Sequence, residues 1–203
     1  MSSMHIIPPA LERLIRSLAT LPGIGTKTAT RLALNILRRP AAKAHEMAAA
    51  LAELHDSIQH CSSCLTFSEA DPCVICADHR RDGSVICVVE QSADLMAIEK
   101  TDSFKGHYHI LHGVLSPIDG IGPDELKVKE LIHRIESNPI KEVLIATSST
   151  VPGEATASYL IDRLQHFPLT LSRLACGIPM GMDIKHADKY TLAKAIESRS
   201  HAS

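Results

Sequence analysis

The sequence contains no tryptophan and only three tyrosines and three phenylalanines in 203 residues. A buried core must therefore be aliphatic. The aromatic platforms on which single-strand-binding proteins stack bases are not expected. No apolar run approaches the roughly 20 residues that a membrane helix needs. The stretch Met1–Ala10 lacks a basic segment followed by an apolar one, so no secretory signal is expected either. These absences point to the cytoplasm, where thiols stay reduced. Six cysteines in that setting suggest metal ligands or buried thiols before disulfides. There are no internal repeats and no low-complexity tract, and the length fits one domain or a few small ones.

Neither sign of charge dominates, with a formal net charge of −2. The balance hides an asymmetry. Residues 11–45 carry Arg13, Arg16, Lys27, Arg31, Arg38, Arg39 and Lys43 against the single acid Glu12. A local basic block is an electrostatic footprint for phosphate even in a mildly acidic chain. Charge alone favours the plainer reading, a solvated helix face.

The apolar periodicity divides the chain. Leu11, Leu14, Ile15 and Leu18 follow the i, i+3, i+4, i+7 pattern of an amphipathic helix. Leu21-Pro22-Gly23-Ile24-Gly25 interrupts it, because Pro and Gly are poor helix interiors. A second helix carries Ala29, Leu32, Ala33, Ile36 and Leu37 and stops at Pro40. A third is predicted from about Ala41 to Ile58, with Ala44, Met47, Ala48, Leu51 and Ile58 facing one way. Beyond the cysteines the period changes. Ser84–Glu90, the region of Tyr108–Leu111, Glu142–Thr147 and Leu169–Ala175 read as strands. They alternate with helical stretches at Ser92–Lys100, around Val128–Ile135 and at Glu154–Gln165, the pattern of a mostly parallel α/β sheet. A last helix is expected near Tyr190–Glu197. The predicted organisation is a helical region at 1–58, a cysteine-rich knot at 59–80, an α/β domain at 81–179 and a short helical, oligomer-forming segment at 180–203.

Cys61-x-x-Cys64 and Cys73-x-x-Cys76 supply four thiolates at the spacing of a closed structural zinc site. Redox-active pairs would be expected beside a thioredoxin-like βαβ pattern, which does not flank them. Four sulfurs leave no open position for hydrolysis. Cys87 and Cys176 fall in apolar segments read as strands and are expected to be buried thiols.

The Leu21–Gly25 break between two helices reads as a helix-hairpin-helix. Gly23 and Gly25 let backbone approach a DNA phosphate, and the amides opening the next helix point at the anion. Lys27 and Arg31, four apart on that helix, would clamp flanking phosphates without reading sequence. The segment Gly25-Thr26-Lys27-Thr28 fails as a P-loop, since a helix precedes it and the first glycine is misplaced. In the α/β region Glu90 ends the first strand, where such folds place functional sites. Asp119, Asp124 and Glu154 lie on later loops, where clustered acids could hold a divalent cation or remain simply solvated.

Three parts in this order resemble the RecR family of recombination mediators almost end to end. The matching stretches are Leu21–Gly25, the four cysteines, Ile86–Glu90, Leu115–Pro123, Gly153–Ala157, Gly177–Pro179 and Ala187-Asp188-x-x-Thr191-Leu192. The resemblance implies that the α/β unit is a Toprim domain. It further implies sequence-independent DNA binding in recombinational repair, and action with RecO and RecF to load RecA onto single strands at gaps and breaks. It implies rings, a tetramer being the count it favours. His112 stands at one of a usual glycine pair, Ser148-Ser149 where Asn-Pro is common, Pro152 where an acid is common, and Met182 where a glycine is common. The Asp-x-Asp pair of catalytic Toprim enzymes is replaced by Ala146-Thr147-Ser148-Ser149-Thr150. No catalysis is therefore expected, and Glu90 and Glu154 are assigned to partner docking. The rival readings are a magnesium-dependent nuclease or primase built on Glu90 and, last, a zinc-dependent sequence-specific regulator.

Overall fold

A computed structural model of the chain describes residues 7–199. It comprises two compact units, Met1–Ile58 and Gln59–Ser203.

In the first unit, α1 (Pro9–Ala19), α2 (Thr26–Arg38) and α3 (Ala41–Ser57) follow one another. Proline stands first in α1, where its missing N–H costs nothing. Ile15, Ala29 and Ala33 are buried, with Leu11, Leu14, Leu18 and Ile24 packed around them. Two alanines with no exposed surface let α1 lie close against α2. This core is small. The stripe expected on α3 does not face it: α3 has no buried residue, and Met47, Leu51 and Leu54 are all exposed. The helix period was correct, but among the described residues of this unit no element covers that face.

The second unit opens with a two-stranded antiparallel hairpin, β1 (Gln59–His60) and β2 (Phe67–Ser68), which the sequence reading did not anticipate. Then follow β3 (Asp82–Val89), α4 (Ser92–Glu99), β4 (Gly106–Ile110), α5 (Val128–Ser137), β5 (Glu142–Ile145), α6 (Val151–Leu164), β6 (Thr170–Arg173) and α7 (Lys189–Glu197). The four long-range strands form a parallel sheet in the order β4-β3-β5-β6. Alternate residues of β3 serve opposite faces. Ile86 and Val88 pack with Leu131 and Ile135 of α5 and Ala157, Leu160 and Leu164 of α6. Cys87 and Val89 pack with Leu95 of α4, Tyr108 and Ile110. The chain moves one way from β3 to β4 and the other way afterwards, so right-handed crossovers require α4 on the opposite face from α5 and α6. Both faces are covered, which is why β3 reads as a continuous apolar run. Cys87 is buried as expected, whereas Cys176 lies beyond β6 and is only partly buried. The fourth strand ends at Arg173 because the residues after it have no neighbouring strand to pair with.

A buried histidine sits in this sheet. His109 is 1 % exposed. Its Nε2 lies 2.7 Å from the Lys127 carbonyl, to which it donates, and its Nδ1 has no partner among the described residues. Burial holds the imidazole down at about 4, against an ordinary 6.5. The unfolded chain takes up this proton below about 6.5 while the fold resists it until about 4. The contribution to stability is therefore full above 6.5 and is lost as pH falls through that window. The loss is at most about 1.4 kcal/mol per pH unit. Urea denaturation at pH 7 and pH 5 should show the native protein losing roughly 2 kcal/mol more than His109→Gln. An equal loss in both would remove His109 as the cause.

Candidate functional site

The hairpin of the first unit is open to solvent. Gly23 adopts φ +78°, a conformation that a side chain would strain, and Ile24 N–H closes the turn on the Leu21 carbonyl at 3.0 Å. Nothing lies within 4 Å of where a Cβ would stand on Gly23 or Gly25. Gly25 caps α2 with no side-chain acceptor, so the first amides of the helix remain free for an external anion. Lys27 and Arg31 are exposed on the following turns. Among the described residues neither makes an ion pair, whereas Arg16 and Lys43 of the same unit pair with Glu12 and Glu46.

The four cysteines come together. Their sulfurs all lie within 4.8 Å of one another, with Cys64 and Cys73 at 3.6 Å. A tetrahedral tetrathiolate with Zn–S near 2.3 Å needs sulfur separations of about 3.8 Å, so the donor set fits one ion. Cys61, Cys64 and Cys73 are buried. The turn is built by Leu65 N–H donating to the Cys61 carbonyl at 2.9 Å and Cys61 N–H donating to the Thr66 carbonyl at 2.8 Å. Backbone amides also point at sulfur: Cys73 N–H to Cys61 Sγ at 3.3 Å and Cys76 N–H to Cys73 Sγ at 3.5 Å. A hydrogen bond from the Cys64 thiol lowers Cys76 to about 5, with Ser63 and Arg134 favouring the thiolate further, and the same sharing pushes Cys64 up.

This knuckle lies on the edge strand β4. Ile110 N–H donates to the Cys64 carbonyl at 3.0 Å. Arg134 Nη1, from α5, donates both to Ser63 O at 3.1 Å and to Tyr108 O at 2.6 Å. Arg81 Nη1 donates to Gly106 O at 3.0 Å while its guanidinium holds Glu99. Outward-facing groups of β4 that would otherwise template another strand are therefore capped within the unit. His112 contributes as well. It adopts φ +60°, which explains why glycine suits the position, and its Nε2 bonds Leu65 O at 2.8 Å. Arg134→Leu would leave two carbonyls without their donor. It is expected to lower stability by about 2 kcal/mol and to speed loss of bound zinc to a chelator. Unchanged urea midpoint and zinc release would show the clamp to be idle.

At the carboxyl ends of the strands, where the strand order reverses, a cleft of about 350 Å³ is lined by Glu90, Asp94, Ser148, Ser149, Arg173 and Cys176, among others. Glu90 Oε1 accepts the Ser148 amide at 2.6 Å. Glu154 is held by Arg173 in a two-pronged pair, both contacts at 2.8 Å, and this guanidinium keeps its carboxyl below the usual range. Asp119 accepts from Ser116 Oγ, and Asp124 from Lys129 Nζ. Among the described residues the cysteines form the one group of three or more suitable metal ligands. The acids considered for a divalent cation are thus not brought together; they are spent locally on hydroxyl, amide and cationic partners. Sequence reading missed Arg173, Arg134 and the Ser148 amide, because nothing in local spacing reveals a partner 19, 71 or 58 residues away.

Comparison with known proteins matches four family models in chain order. These are the RecR helix-hairpin-helix at residues 11–55, the RecR four-cysteine zinc finger domain at 58–78, the Toprim domain at 84–175 and the RecR C-terminal region at 177–200. Recombination protein RecR of Anaeromyxobacter sp. (strain Fw109-5) is 50% identical over 189 residues, covering 93% of this chain and 96% of the relative. Its counterpart in Myxococcus xanthus is 49% identical over 192 residues, covering 95% and 98%. That of Desulfosudis oleivorans is 47% identical over 192 residues, covering 95% and 96%. An open helix-hairpin-helix, a four-cysteine knuckle and a parallel Toprim sheet, matched by relatives nearly end to end, place this chain in the RecR family.

Proposed function

We propose that the chain is a DNA-binding recombination mediator in repair, a scaffold without catalysis that acts with RecO and RecF to help load RecA on single-stranded DNA at gaps and breaks. The observation that carries the reading is the amide end of α2, without a side-chain cap, beside Lys27 and Arg31, which make no ion pair among the described residues. Residues 1–58 are assigned to DNA, with Gly23 and Gly25 admitting a phosphate. Residues 59–80 hold one structural zinc on Cys61, Cys64, Cys73 and Cys76. Residues 81–179 form the Toprim domain, whose Glu90 and Glu154 face protein partners, and 180–203 join copies. Zinc supplies a fixed tetrahedral crosslink there, and Arg134 and Ile110 tie that crosslink to the sheet.

Positions 146–150 support the absence of chemistry. Where catalytic Toprim enzymes carry a carboxylate pair, this chain has Ala146, Thr147 and Ser148. Thr147 Oγ1 donates to the Gly153 carbonyl at 3.0 Å, and Ser148 N–H is committed to Glu90. The exposed face of α3 supports self-association: Met47, Leu51 and Leu54 on a unit with so small a core are stabilised by a second copy. Truncation of residues 1–20 as a test of assembly falls partly on residues 1–6, outside those described. No described helix is long and apolar enough to cross a membrane. The deciding experiment measures DNA binding of the purified protein beside a magnesium-dependent cleavage and primer-synthesis assay. Binding without turnover is expected. Turnover that vanishes in Glu90→Ala would overturn the scaffold reading.

A further inference from the structure

The exposed face of α2 continues well beyond the hairpin. From Thr26 to Arg38 the helix contains no acid. Lys27, Thr30, Arg31, Leu34, Asn35 and Arg38 line a single shallow groove of about 320 Å³. At 100° per residue, Lys27, Arg31, Leu34 and Arg38 fall within a sector of roughly 60°. Ala29 and Ala33, with no exposed surface, occupy the opposite side against α1. The groove is therefore one continuous stripe on one side of the helix.

Its charge is uncompensated. Among the described residues Arg38, like Lys27 and Arg31, has no ion-pair partner, although ten other cations of the chain do. Three like charges on one helical face repel one another, a cost that an external polyanion relieves. Thr30 has spent its hydroxyl on the Thr26 carbonyl at 2.8 Å. The Asn35 amide makes no hydrogen bond among the described residues and so offers donors between Arg31 and Arg38. Leu34 gives the middle of the stripe an apolar contact suited to sugar rather than phosphate.

Geometry sets the length of ligand. The eleven residue-to-residue steps from Lys27 to Arg38 rise about 16 Å. One DNA strand carries a phosphate per roughly 3.4 Å of helix axis and at wider spacing along its winding backbone, so the stripe reaches several successive phosphates but fewer than about five. A hairpin contact alone would use the first turn and leave the rest idle.

We infer that the whole face of α2 is a track for a sugar–phosphate backbone, with Arg38 as a second phosphate clamp about 16 Å from Lys27 and Asn35 as a donor between them. The inference rests on the DNA-binding reading above and extends its footprint. An acidic protein surface would satisfy the charge. Continuity with the free amides of the Gly25 cap favours a nucleic acid, because amides and cations then address one linear array of phosphates.

The test uses the full-length, zinc-loaded protein and fluorescence anisotropy with two unrelated oligonucleotide sequences, each single- and double-stranded, between 50 and 200 mM salt. Arg38→Ala should weaken binding about three- to tenfold on both sequences and reduce the duplex salt slope by about 1. Arg38→Lys should restore the slope, and Asn35→Ala should weaken affinity while leaving the slope alone. If Lys27→Ala/Arg31→Ala impairs binding and Arg38→Ala does not, the track is wrong and the hairpin reading stands. If none of these changes affects DNA, the hairpin reading fails with it. Intact DNA binding by Arg38→Ala, joined to loss of binding to an acidic polypeptide such as poly-glutamate, would reassign the groove to a protein partner and overturn the inference.

Discussion

Loss of any one of Cys61, Cys64, Cys73 or Cys76 is expected to abolish stoichiometric zinc and to collapse the knuckle around it. In zinc-finger peptides the metal contributes about 10–16 kcal/mol of apparent binding energy, which is folding energy when the site does not exist without it. The region has little else to hold it. Its strands are two residues each, and its buried residues are largely the cysteines themselves. The damage should spread in a defined direction. With Cys64 displaced, Ile110 N–H loses its acceptor and Arg134 loses Ser63, so β4 becomes a free sheet edge. Hydrogen exchange read by mass spectrometry in Cys64→Ala should show lost protection at 59–78 and 106–110, while Val143, Ile145 and Leu160 on the other side of β3 stay protected longer. Aggregation should follow. Metal analysis giving one zinc per chain in the variant, or none in wild-type protein purified without chelator, would defeat the assignment.

Lys27→Ala together with Arg31→Ala is expected to reduce DNA affinity by one to two orders of magnitude at low salt and to flatten the salt dependence by about 2. Both side chains are exposed and without an ion-pair partner among the described residues. Neither enters the Ile15–Ala29–Ala33 core, so circular dichroism and thermal unfolding should not change. The loss should be alike for unrelated sequences, because phosphate contacts fix position and carry no base information. A change confined to one sequence would point to base reading. Unaltered affinity with the fold intact would remove the hairpin from the interface.

Much of this was legible from residues close together in the chain. The α1 and α2 stripes, the Pro–Gly break and the two Cys-x-x-Cys turns are fixed within a few residues, by the helical period and by the short reach of a turn. The buried strand at Ile86–Val89 was legible for a related reason, since an apolar residue at every position has no meaning except burial on both faces. Family membership followed from the same local motifs, because each is a fixed word at a fixed spacing. Tertiary structure alone decided the order β4-β3-β5-β6, which brings the Glu90 loop beside Ser148 and makes the cleft. It decided that Glu154 is paired with Arg173 and that, among the described residues, the acids are not gathered into one cluster, since a carboxylate's role depends on which cation the fold delivers to it. It placed Arg134 across the knuckle and β4, gave His112 its left-handed backbone, and left the apolar face of α3 bare. Periodicity reports which side of an element is apolar; only the packed chain determines whether anything arrives to cover it.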